Sequence, residues 1–468
     1  MSSAAETMTD IDHIPIAVRE YLLQKQIQVQ VHTKRAARDK MPVECILLAD
    51  QLGKVQVFLP ANRLLSLSRV RAETGRDLQA LSPLEQTRLM REHGLQTLPA
   101  LDGLMGIETL IDQSVEHLPR CYIYSGQRHT LLELDSHQDL QKNPRTLRLA
   151  LSEEVPNTDL DYELSLFDLD REAIHASVSR FTTKRIQQRL EETLEVPPLP
   201  DTAQAIIRLR VDPNADIEKL SKIVARDPSL SAQVISWASS SYYAAPGSVR
   251  SVQDAIVRVL GYDLVMNLSL GLALGRALEM PKDAPEGYTP YWQAAIYTAT
   301  AVGALQNCIP REFRPSFGLA YLGGLLHNFG YLILAHVFKP QFSSCCRLWE
   351  ANPHLEPQVI EDHVLGINRD QIAANLLQSW NLPNEVVVAI RHNSVDDYMG
   401  PHADYTQLVH LAVHMLRRAG LLKGPQSRID PVVFNELHIN PEDAKQAIQQ
   451  VRDAKDELDH LANGLLNN

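Results

Sequence analysis

The spacing of hydrophobic positions changes near residue 200, and this change predicts two kinds of structure in one chain. Before residue 150, short apolar runs alternate with polar residues, which is typical of half-buried strands. From Asp201 onward, apolar residues recur every three or four positions, which is typical of helices. The pattern therefore predicts an α+β domain followed by an all-α domain.

The clearest local element of the first part is a hairpin. Two apolar runs, 43–49 and 54–59, are joined by four residues that end in Gly53, which supplies the turn. The other elements predicted in this part are helices at 16–22, 64–70 and 83–93 and strands at 27–31, 109–111, 121–124 and 130–134.

The second part reads as a series of helices separated by short Pro and Gly breaks. Helices are predicted at 202–209, 217–225, 230–241, 252–260, 263–278 and 291–306. At 468 residues the chain is too long for one ordinary core. The predicted divisions are an α+β domain at 10–150, an acidic linker and connecting helix at 151–196, an all-α domain at 197–425, and a C-terminal helical extension at 426–468.

The connector between the two parts is acidic. Residues 151–170 contain seven carboxylates and no Lys or Arg, which predicts a solvated linker; an acidic docking segment is the alternative. From Arg171 to Val196, apolar residues recur at helical spacing, and this predicts an amphipathic helix that ends at a Pro-rich stop.

The longest uncharged segment runs from Gly318 to Phe338 and carries His327 and Asn328 side by side near its centre. Its 21 residues are long enough for a membrane helix by length alone. Four glycines and the polar pair favour instead a helix buried in a large helical core. We therefore expect no membrane insertion.

Charge and cysteine usage narrow the classes of partner. The net charge of −12 argues against general binding to nucleic acid or to an anionic membrane, although a local basic patch stays open. Five cysteines without CxxC spacing suit a reducing cytosol and support neither a disulfide framework nor a zinc cage. The polar, acidic N-terminus has no signal-peptide pattern. These features predict a cytoplasmic protein.

Five segments of the second part resemble HDOD domains in content and order. They are VPPLPDTAQAIIRL, ADIEKLSKIVARDPSLSAQVISWASSSYY, SVQDAIVRVLGYDLVMNLSLGLAL, GGLLHNFGYLIL and EDHVLGINRDQIAANLLQSWNLPNEVVVAI. The resemblance spans residues 190–420. It implies an all-α fold related to the HD-domain metal phosphohydrolases, used in bacterial signalling and generally without the catalytic metal site.

The resemblance also implies where an HD metal site would lie. Its histidine and aspartate ligands would fall at Ala294, His327, Asn328, Arg369 and Val413, and of these only His327 can ligate a transition metal well. A catalytic zinc site usually has about three protein ligands, so we expect no bound metal, no cofactor and no catalytic residue here. The alternative is a different site completed by other histidines: His392, His410 or His414.

A pocket that has lost its metal can still bind a ligand. We expect His327, Asn328, Arg369 and His392 to line a polar cleft that binds a small anion or a partner side chain, because Arg369 places a fixed cation there. The alternative is that Arg369 is a surface residue after a helix cap.

The layout of residues 10–145 resembles the YbaK-like domain, an editing module related to the one in prolyl-tRNA synthetase. The relevant segments are LSLSRVRAETGRDLQALSPLEQTRLMREHG and IETLIDQSVEHLPRCYIYSGQRHTLLELDSHQDL. Active members carry a lysine where this chain has Glu44 and Cys45, and their GxxxP loop is one residue longer here, from Gly94 to Pro99. Glu44, Cys45 and Gly94 therefore mark a degenerate editing site.

The tail from Pro441 to Leu465 has apolar residues at near-heptad spacing. This pattern predicts a terminal helix packed back on the domain; a homodimerisation helix is the alternative.

Together these features predict a non-catalytic regulatory protein that binds protein partners or a small ligand through its HDOD domain. Two enzymatic alternatives stay open. The first is aminoacyl-tRNA deacylation by the first domain, with tRNA as partner, and the second is metal-dependent phosphohydrolysis by the second domain.

Overall fold

Strands and helices are segregated along the chain in the computed structural model. The structure describes residues 14–33, 40–128, 130–134, 137–140, 146–155, 166–181, 198–243, 248–426 and 429–466. These residues form two compact units. The first comprises the described residues of Met1–Asn157, Ala284–Gly287 and Ser343–Ile360, and the second those of Thr158–Asp283, Tyr288–Phe342 and Glu361–Asn468.

The first unit is built on a mixed β-sheet. Its strands are β1 (Val29–Thr33), β2 (Pro42–Asp50), β3 (Gly53–Pro60), β4 (Arg63–Leu65), β5 (Gln79–Ala80), β6 (Glu108–Asp112), β7 (Cys121–Tyr124), β8 (Thr130–Leu134), β9 (Leu147–Leu149) and β10 (Ser152–Glu154). The main sheet has the order β1-β8-β7-β2-β3-β6-β9, with β5 beside β2 and with β4 and β10 as a separate pair. The β2–β3 pair is the predicted hairpin, in register from Val43 opposite Pro60 to Asp50 opposite Gly53.

Both faces of this sheet are apolar, because successive residues of a strand point to opposite sides. On β2, Val43, Cys45 and Leu47 join one core and Ile46 and Leu48 join another. The first core is completed by helices α1 (Ile16–Lys25) and α3 (Pro83–Glu92), and the second by α2 (Leu67–Thr74) and Ala351. The prediction of a helix at 64–70 was wrong at its start, where β4 precedes α2.

A segment from late in the chain belongs to the first unit, which the sequence did not indicate. The side-chain amide of Asn352 forms two hydrogen bonds with the backbone of Leu65 in β4. Its Oδ1 accepts from Leu65 N at 2.7 Å, and its Nδ2 donates to Leu65 O at 3.1 Å. His354 Nε2 lies 3.0 Å from Arg63 O. These bonds fix residues 343–360 to the β4 side of the sheet unit.

From residue 166 onward, no described residue lies in a strand. The helices are α4 (Leu166–Phe181), α5 (Asp201–Arg210), α6 (Ile217–Ala225), α7 (Pro228–Ser239), α8 (Val252–Ala255), α9 (Tyr262–Gly275), α10 (Tyr291–Asn307), α11 (Phe317–Leu326), α12 (Phe329–Val337), α13 (Lys339–Ala351), α14 (Pro357–Leu365), α15 (Arg369–Ser379), α16 (Asn384–His392), α17 (Ala403–Arg418), α18 (Pro431–Glu436), α19 (Pro441–Asp453) and α20 (Lys455–Leu466). A π-helical turn, Ile256–Leu260, follows α8.

The core of the second unit is formed by α9, α10, α11 and α12, whose side chains are buried nearly all round. Phe317–Val337 is, among the described residues, the one stretch long and apolar enough to cross a membrane, and 78% of its most apolar window is buried inside the protein. This burial is the behaviour of a core helix.

The acidic connector is not a solvated linker at its two ends. Leu151 and Ser152 are buried beside β4, and Asp170 is buried within α4, so the prediction was wrong for these residues. Residues 156–165, and most of the helix predicted at 171–196, lie outside the described residues.

The tail packs back on the second unit. α20 packs against α10. The buried apolar residues of α19 and α20 are Ala444, Ile448, Val451, Leu458, Ala462 and Leu465. Tyr297 of α10 donates a hydrogen bond to Asp459 of α20. A homodimer through these same side chains would require α19 and α20 to leave this position.

Candidate functional site

The polar pair His327 and Asn328 forms the break between α11 and α12. His327 Nδ1 lies 2.8 Å from the backbone oxygen of Gly324, one turn earlier. Burial lowers the pKa of His327 to about 4, and this hydrogen bond opposes the shift. The imidazole is therefore neutral at pH 7 and is held by its own helix.

Arg369, the first residue of α15, lies directly against this pair. Its Nη1 donates to Asn328 Oδ1 at 2.7 Å, and the side chain is nearly buried. Its Nε and Nη2 both reach Glu361 Oε1, at 2.6 and 2.5 Å, and its backbone N–H donates to Glu361 Oε2 at 2.7 Å. Arg369 is thus a member of a buried ion pair rather than a solvent-facing residue after a helix cap.

Glu361 is fully buried on α14. Burial raises the pKa of Glu361, and the nearby Arg369 guanidinium opposes that rise. Charge-assisted bonds of this kind are the strong ones in proteins, because both partners are desolvated and oriented. We call Asn328, Glu361 and Arg369 the ion-pair cluster.

Backbone packing fixes the cluster in place. A Cβ atom added at Gly330 of α12 would lie 1.9 Å from the backbone oxygen of Arg369. Only glycine allows α12 and the start of α15 to approach so closely. Asn368 caps α15 by accepting from Asp370 N and Gln371 N, which stabilises the helix start that carries Arg369.

Further charged groups surround the start of α15. Asp362 Oδ1 and Oδ2 accept from Asn368 Nδ2 at 3.2 and 3.1 Å, and burial raises the pKa of Asp362 to about 6. Asp170 of α4 accepts from Arg391 Nη2 at 3.0 Å and from Gln371 Nε2 at 2.8 Å. The connecting helix is thus attached to the helical unit by a second buried ion pair.

His392, the fourth residue predicted for the cleft, has a different environment. Its ring stacks on Tyr398 with centroids 4.3 Å apart and planes 15° apart. Burial lowers its pKa to about 3, with Arg391 adding to the shift. Among the described residues its Nδ1 has no hydrogen-bond partner. The structure therefore brings His327, Asn328 and Arg369 together, whereas His392 stacks on Tyr398.

The fold around this cluster is shared with known proteins. The family model of the HDOD domain matches residues 196–395. A crystal structure from Marinobacter aquaeolei VT8, of a protein for which a role in signal transduction has been suggested, is 41% identical, with a TM-score of 0.87 over 97% of this chain and 100% of that one. Residues 196–395 are an HDOD domain.

Two more distant proteins are similar to part of this chain. An HDOD domain protein of unknown function from Geobacter sulfurreducens is 18% identical and covers 64% of this chain and 97% of its own, with a TM-score of 0.50, which is a likeness of fold. An uncharacterized protein of Treponema pallidum is 22% identical over 60% of this chain. This chain matches 53% of the length of that curated relative.

These matches confirm the predicted HDOD domain and a multi-domain chain with an N-terminal α/β region. The positions where the resemblance expects the ligands of an HD metal site are filled by other residues. Ala294 and Val413 are buried apolar residues of α10 and α17, and Asn328 and Arg369 bond to each other. His327 is the single imidazole at these five positions.

In the sheet unit, Glu44 and Cys45 of the predicted degenerate editing site point to opposite sides of β2. Glu44 accepts from Tyr124 Oη at 3.0 Å on one side of β2. Cys45 points to the other side, into the apolar core, where its Sγ lies 3.8 Å from Gln56 Oε1. Burial raises the pKa of the Cys45 thiol, and Glu44 adds to the shift. The thiol is therefore a poor nucleophile.

Gly94 lies at the exposed end of α3 with φ +66°. The loop that follows it is held instead by Gly126, whose backbone oxygen accepts from Gln96 N at 2.7 Å. The YbaK-like resemblance of this region stays a prediction.

Sequence reasoning missed Glu361, Asp170 and Arg391. One signal could have found the first: a buried charge requires a partner, and Glu361 opens the same EDHVLGINRD segment that contains Arg369. Asp170 carried no such signal, because it lies 221 residues before Arg391 in a run that resembles a linker.

Proposed function

We propose that this chain is a non-catalytic regulatory protein whose HDOD domain acts by binding a partner protein. The observation that carries this proposal is the buried ion-pair cluster of Asn328, Glu361 and Arg369. According to the family resemblance, Arg369 stands at a position where a metal phosphohydrolase would have a metal ligand. A metal ion bound beside His327 would be repelled by the Arg369 guanidinium and would have one imidazole to hold it.

A catalytic role for this site has a direct test. Phosphate release from nucleoside mono-, di- and triphosphates is measured with Mn²⁺ for the full chain and for the His327→Asn variant. We expect no release above background and no difference between the two proteins. Release by the natural chain that His327→Asn abolishes would overturn the proposal.

The predicted small anion at His327, Asn328, Arg369 and His392 is a less favoured form of binding. Glu361 already offsets the charge of Arg369 through three hydrogen bonds, so an incoming anion would meet a compensated site. His392 stacks on Tyr398 instead. The partner surface is therefore expected elsewhere on the domain.

A groove between α5 and α6 is a better candidate. It has a volume of about 600 Å³, and its charged lining residues are Asp201, Arg208, Asp212, Lys219, Lys222 and Arg226. Arg208 and Arg226 are exposed, whereas Lys219 bonds to Asp212 at 2.9 Å and the exposed Lys222 pairs with Glu218. In a chain with a net charge of −12, this local excess of cations favours an acidic segment of a regulatory protein.

The groove is tested by capture with the full chain as bait. Arg208→Glu with Arg226→Glu should remove the specific partner, which added salt should also release. Arg88→Glu, an exposed change on α3 of the sheet unit, is the matched control and should keep the partner. A partner retained by the groove variant and lost by the control would contradict the assignment.

The deacylase alternative is disfavoured by the burial of Cys45 and by the absence of a lysine beside it on β2. We keep the cytoplasm as the proposed location, since all five cysteines are thiols. Homodimerisation stays a prediction.

A further inference from the structure

A second group of metal-ligating side chains lies on α17, away from the ion-pair cluster. His410 and His414 are four residues apart, so they share one face of the helix. Both are buried, and their ring centroids are 4.2 Å apart. Two histidines at this spacing on a helix are a recurring pair of metal ligands.

Asp396 faces this pair from the loop between α16 and α17. Its Oδ1 lies 3.8 Å from His410 Nε2, which is too long for a hydrogen bond. Ligand atoms from Asp396, His410 and His414 all lie within 4.8 Å of one another. Two ligands each about 2.0–2.2 Å from a shared ion are separated by three to four ångströms, so the three groups need only a small adjustment.

The other nitrogen of His410 fixes which ring atom faces Asp396. His410 Nδ1 lies 2.9 Å from the backbone oxygen of Asn393, and because a carbonyl can only accept, Nδ1 carries the proton. The lone pair of a neutral ring is then on Nε2, on the side of Asp396. A backbone carbonyl that orients a histidine in this way is the usual outer partner of a metal ligand.

We propose that Asp396, His410 and His414 form a binding site for a divalent transition-metal ion of the zinc class. Two imidazoles and one carboxylate suit Zn²⁺, Co²⁺ or Ni²⁺ better than Mg²⁺ or Ca²⁺, which prefer oxygen ligands. The side chain of Asp396 is 69% exposed, so water can complete the coordination.

This site differs from the HD metal site in the residues that form it and in its effect, which is to stabilise a loop. It uses none of the five positions where the family resemblance expects ligands. The ion would join the loop that carries Asp396 to α17 and so stabilise that loop. Arg417 and Arg418 act electrostatically on His414, so we expect weaker binding than at a structural zinc site.

The test uses the untagged full chain, stripped of metal and titrated with Co²⁺ and then with Zn²⁺. We expect one ion per chain, a visible absorption band from bound Co²⁺ that Zn²⁺ abolishes, and a higher melting temperature with Zn²⁺. Asp396→Asn should weaken binding by at least about tenfold, and His414→Gln should weaken it further.

The neighbouring exposed residue gives the matched control, since Asp397→Asn removes a carboxylate of the same loop and should leave the affinity unchanged. Because Asp396 is exposed, Asp396→Asn reports on binding even if His414→Gln does not fold. The absence of Co²⁺ binding, or equal affinity in Asp396→Asn and Asp397→Asn, would overturn the proposal. Binding lost in His327→Asn would place the ion at the HD positions instead and would also contradict it.

The outcome of the metal titration does not depend on the proposed function. Binding of Zn²⁺ without phosphate release supports both, whereas phosphate release that depends on His327 defeats only the non-catalytic role.

Discussion

The two places where family resemblance would put a reaction centre differ in how their polar groups are neutralised. In the HDOD domain, Asn328, Glu361 and Arg369 stay together and compensate one another through a buried ion pair. In the sheet unit, Glu44 and Cys45 point to opposite sides of β2, and the thiol is covered by apolar side chains.

This difference teaches that buried polar groups can be accommodated in two ways with unequal consequences for stability. A charged cluster must be complete, because one member left alone is an uncompensated buried charge. A thiol in an apolar core behaves as a small hydrophobic group and depends little on its neighbours. The ion-pair cluster should therefore tolerate substitution far less well than Cys45.

The largest effect should come from breaking the ion pair. Glu361→Gln leaves Arg369 buried without its countercharge, and we expect the free energy of unfolding to fall by about 3–5 kcal/mol. Urea unfolding followed by tryptophan fluorescence measures this, since Trp237, Trp292 and Trp380 lie in the helical unit. Glu361→Leu with Arg369→Met should recover most of the loss.

The exposed pair Lys222–Glu218 is the control, with side chains 70% and 71% exposed. Lys222→Met should cost less than about 1 kcal/mol. Equal losses of unfolding free energy in Glu361→Gln and Lys222→Met would mean that the buried ion pair stabilises the protein no more than the exposed one.

The next effect tests the close approach of α12 to Arg369. Gly330→Ala adds a methyl group 1.9 Å from a backbone oxygen, so a helix must move, and we expect a loss of about 3 kcal/mol in unfolding free energy. At Gly323 an added Cβ has its nearest neighbour at 3.5 Å. Gly323→Ala is therefore the matched control, and a loss as large as that of Gly330→Ala would contradict the packing argument.

Acid should weaken the HDOD domain through its buried histidines. The pKa of His392 is about 3 in the folded chain and about 6.5 unfolded, so its contribution is complete above pH 6.5 and is lost as the pH falls toward 3. At pH 5 the loss is about 2 kcal/mol. Asp362 acts in the opposite direction, because its raised pKa makes protonation favour the folded state.

His392→Phe separates the two contributions, since the ring can still stack on Tyr398 while the titrating group is removed. Urea unfolding at pH 7 and pH 5 should show a difference between the two pH values that is about 2 kcal/mol smaller in the variant than in the natural chain. The same difference in both proteins would refute the role of His392.

The smallest effect should be at Cys45. Cys45→Ala should cost about 1 kcal/mol in unfolding free energy and should leave any clearance of mischarged tRNA unchanged. Glu44→Gln, on the other side of the same strand, is the comparison for activity. Clearance that either change abolishes would restore the editing alternative.

The sequence predicted much of the fold because local patterns determined it. The β2–β3 hairpin, α6 and strands β7 and β8 lie where alternation or helical spacing put them. The single helix expected over 318–338 is instead two, α11 and α12. The break at Asn328 is accompanied by a bond to Arg369, 41 residues away, which no local pattern encodes.

The candidate site was predictable only in part for the same reason. The sequence showed that Asn328 and Arg369 stand where the resemblance expects metal ligands, whereas the partner of Arg369 depended on how α14 and α15 fold together. Asp170 lies in an acidic run that predicted a solvated residue, but it is buried and pairs with Arg391.

Anomalous diffraction from crystals of the full chain soaked in Mn²⁺ or Zn²⁺ tests the central claim most directly. We predict no ion beside His327 and Asn328, with the Arg369 guanidinium still bonded to Glu361 and Asn328. An ion ligated by His327 with Arg369 displaced from Asn328 would contradict the account.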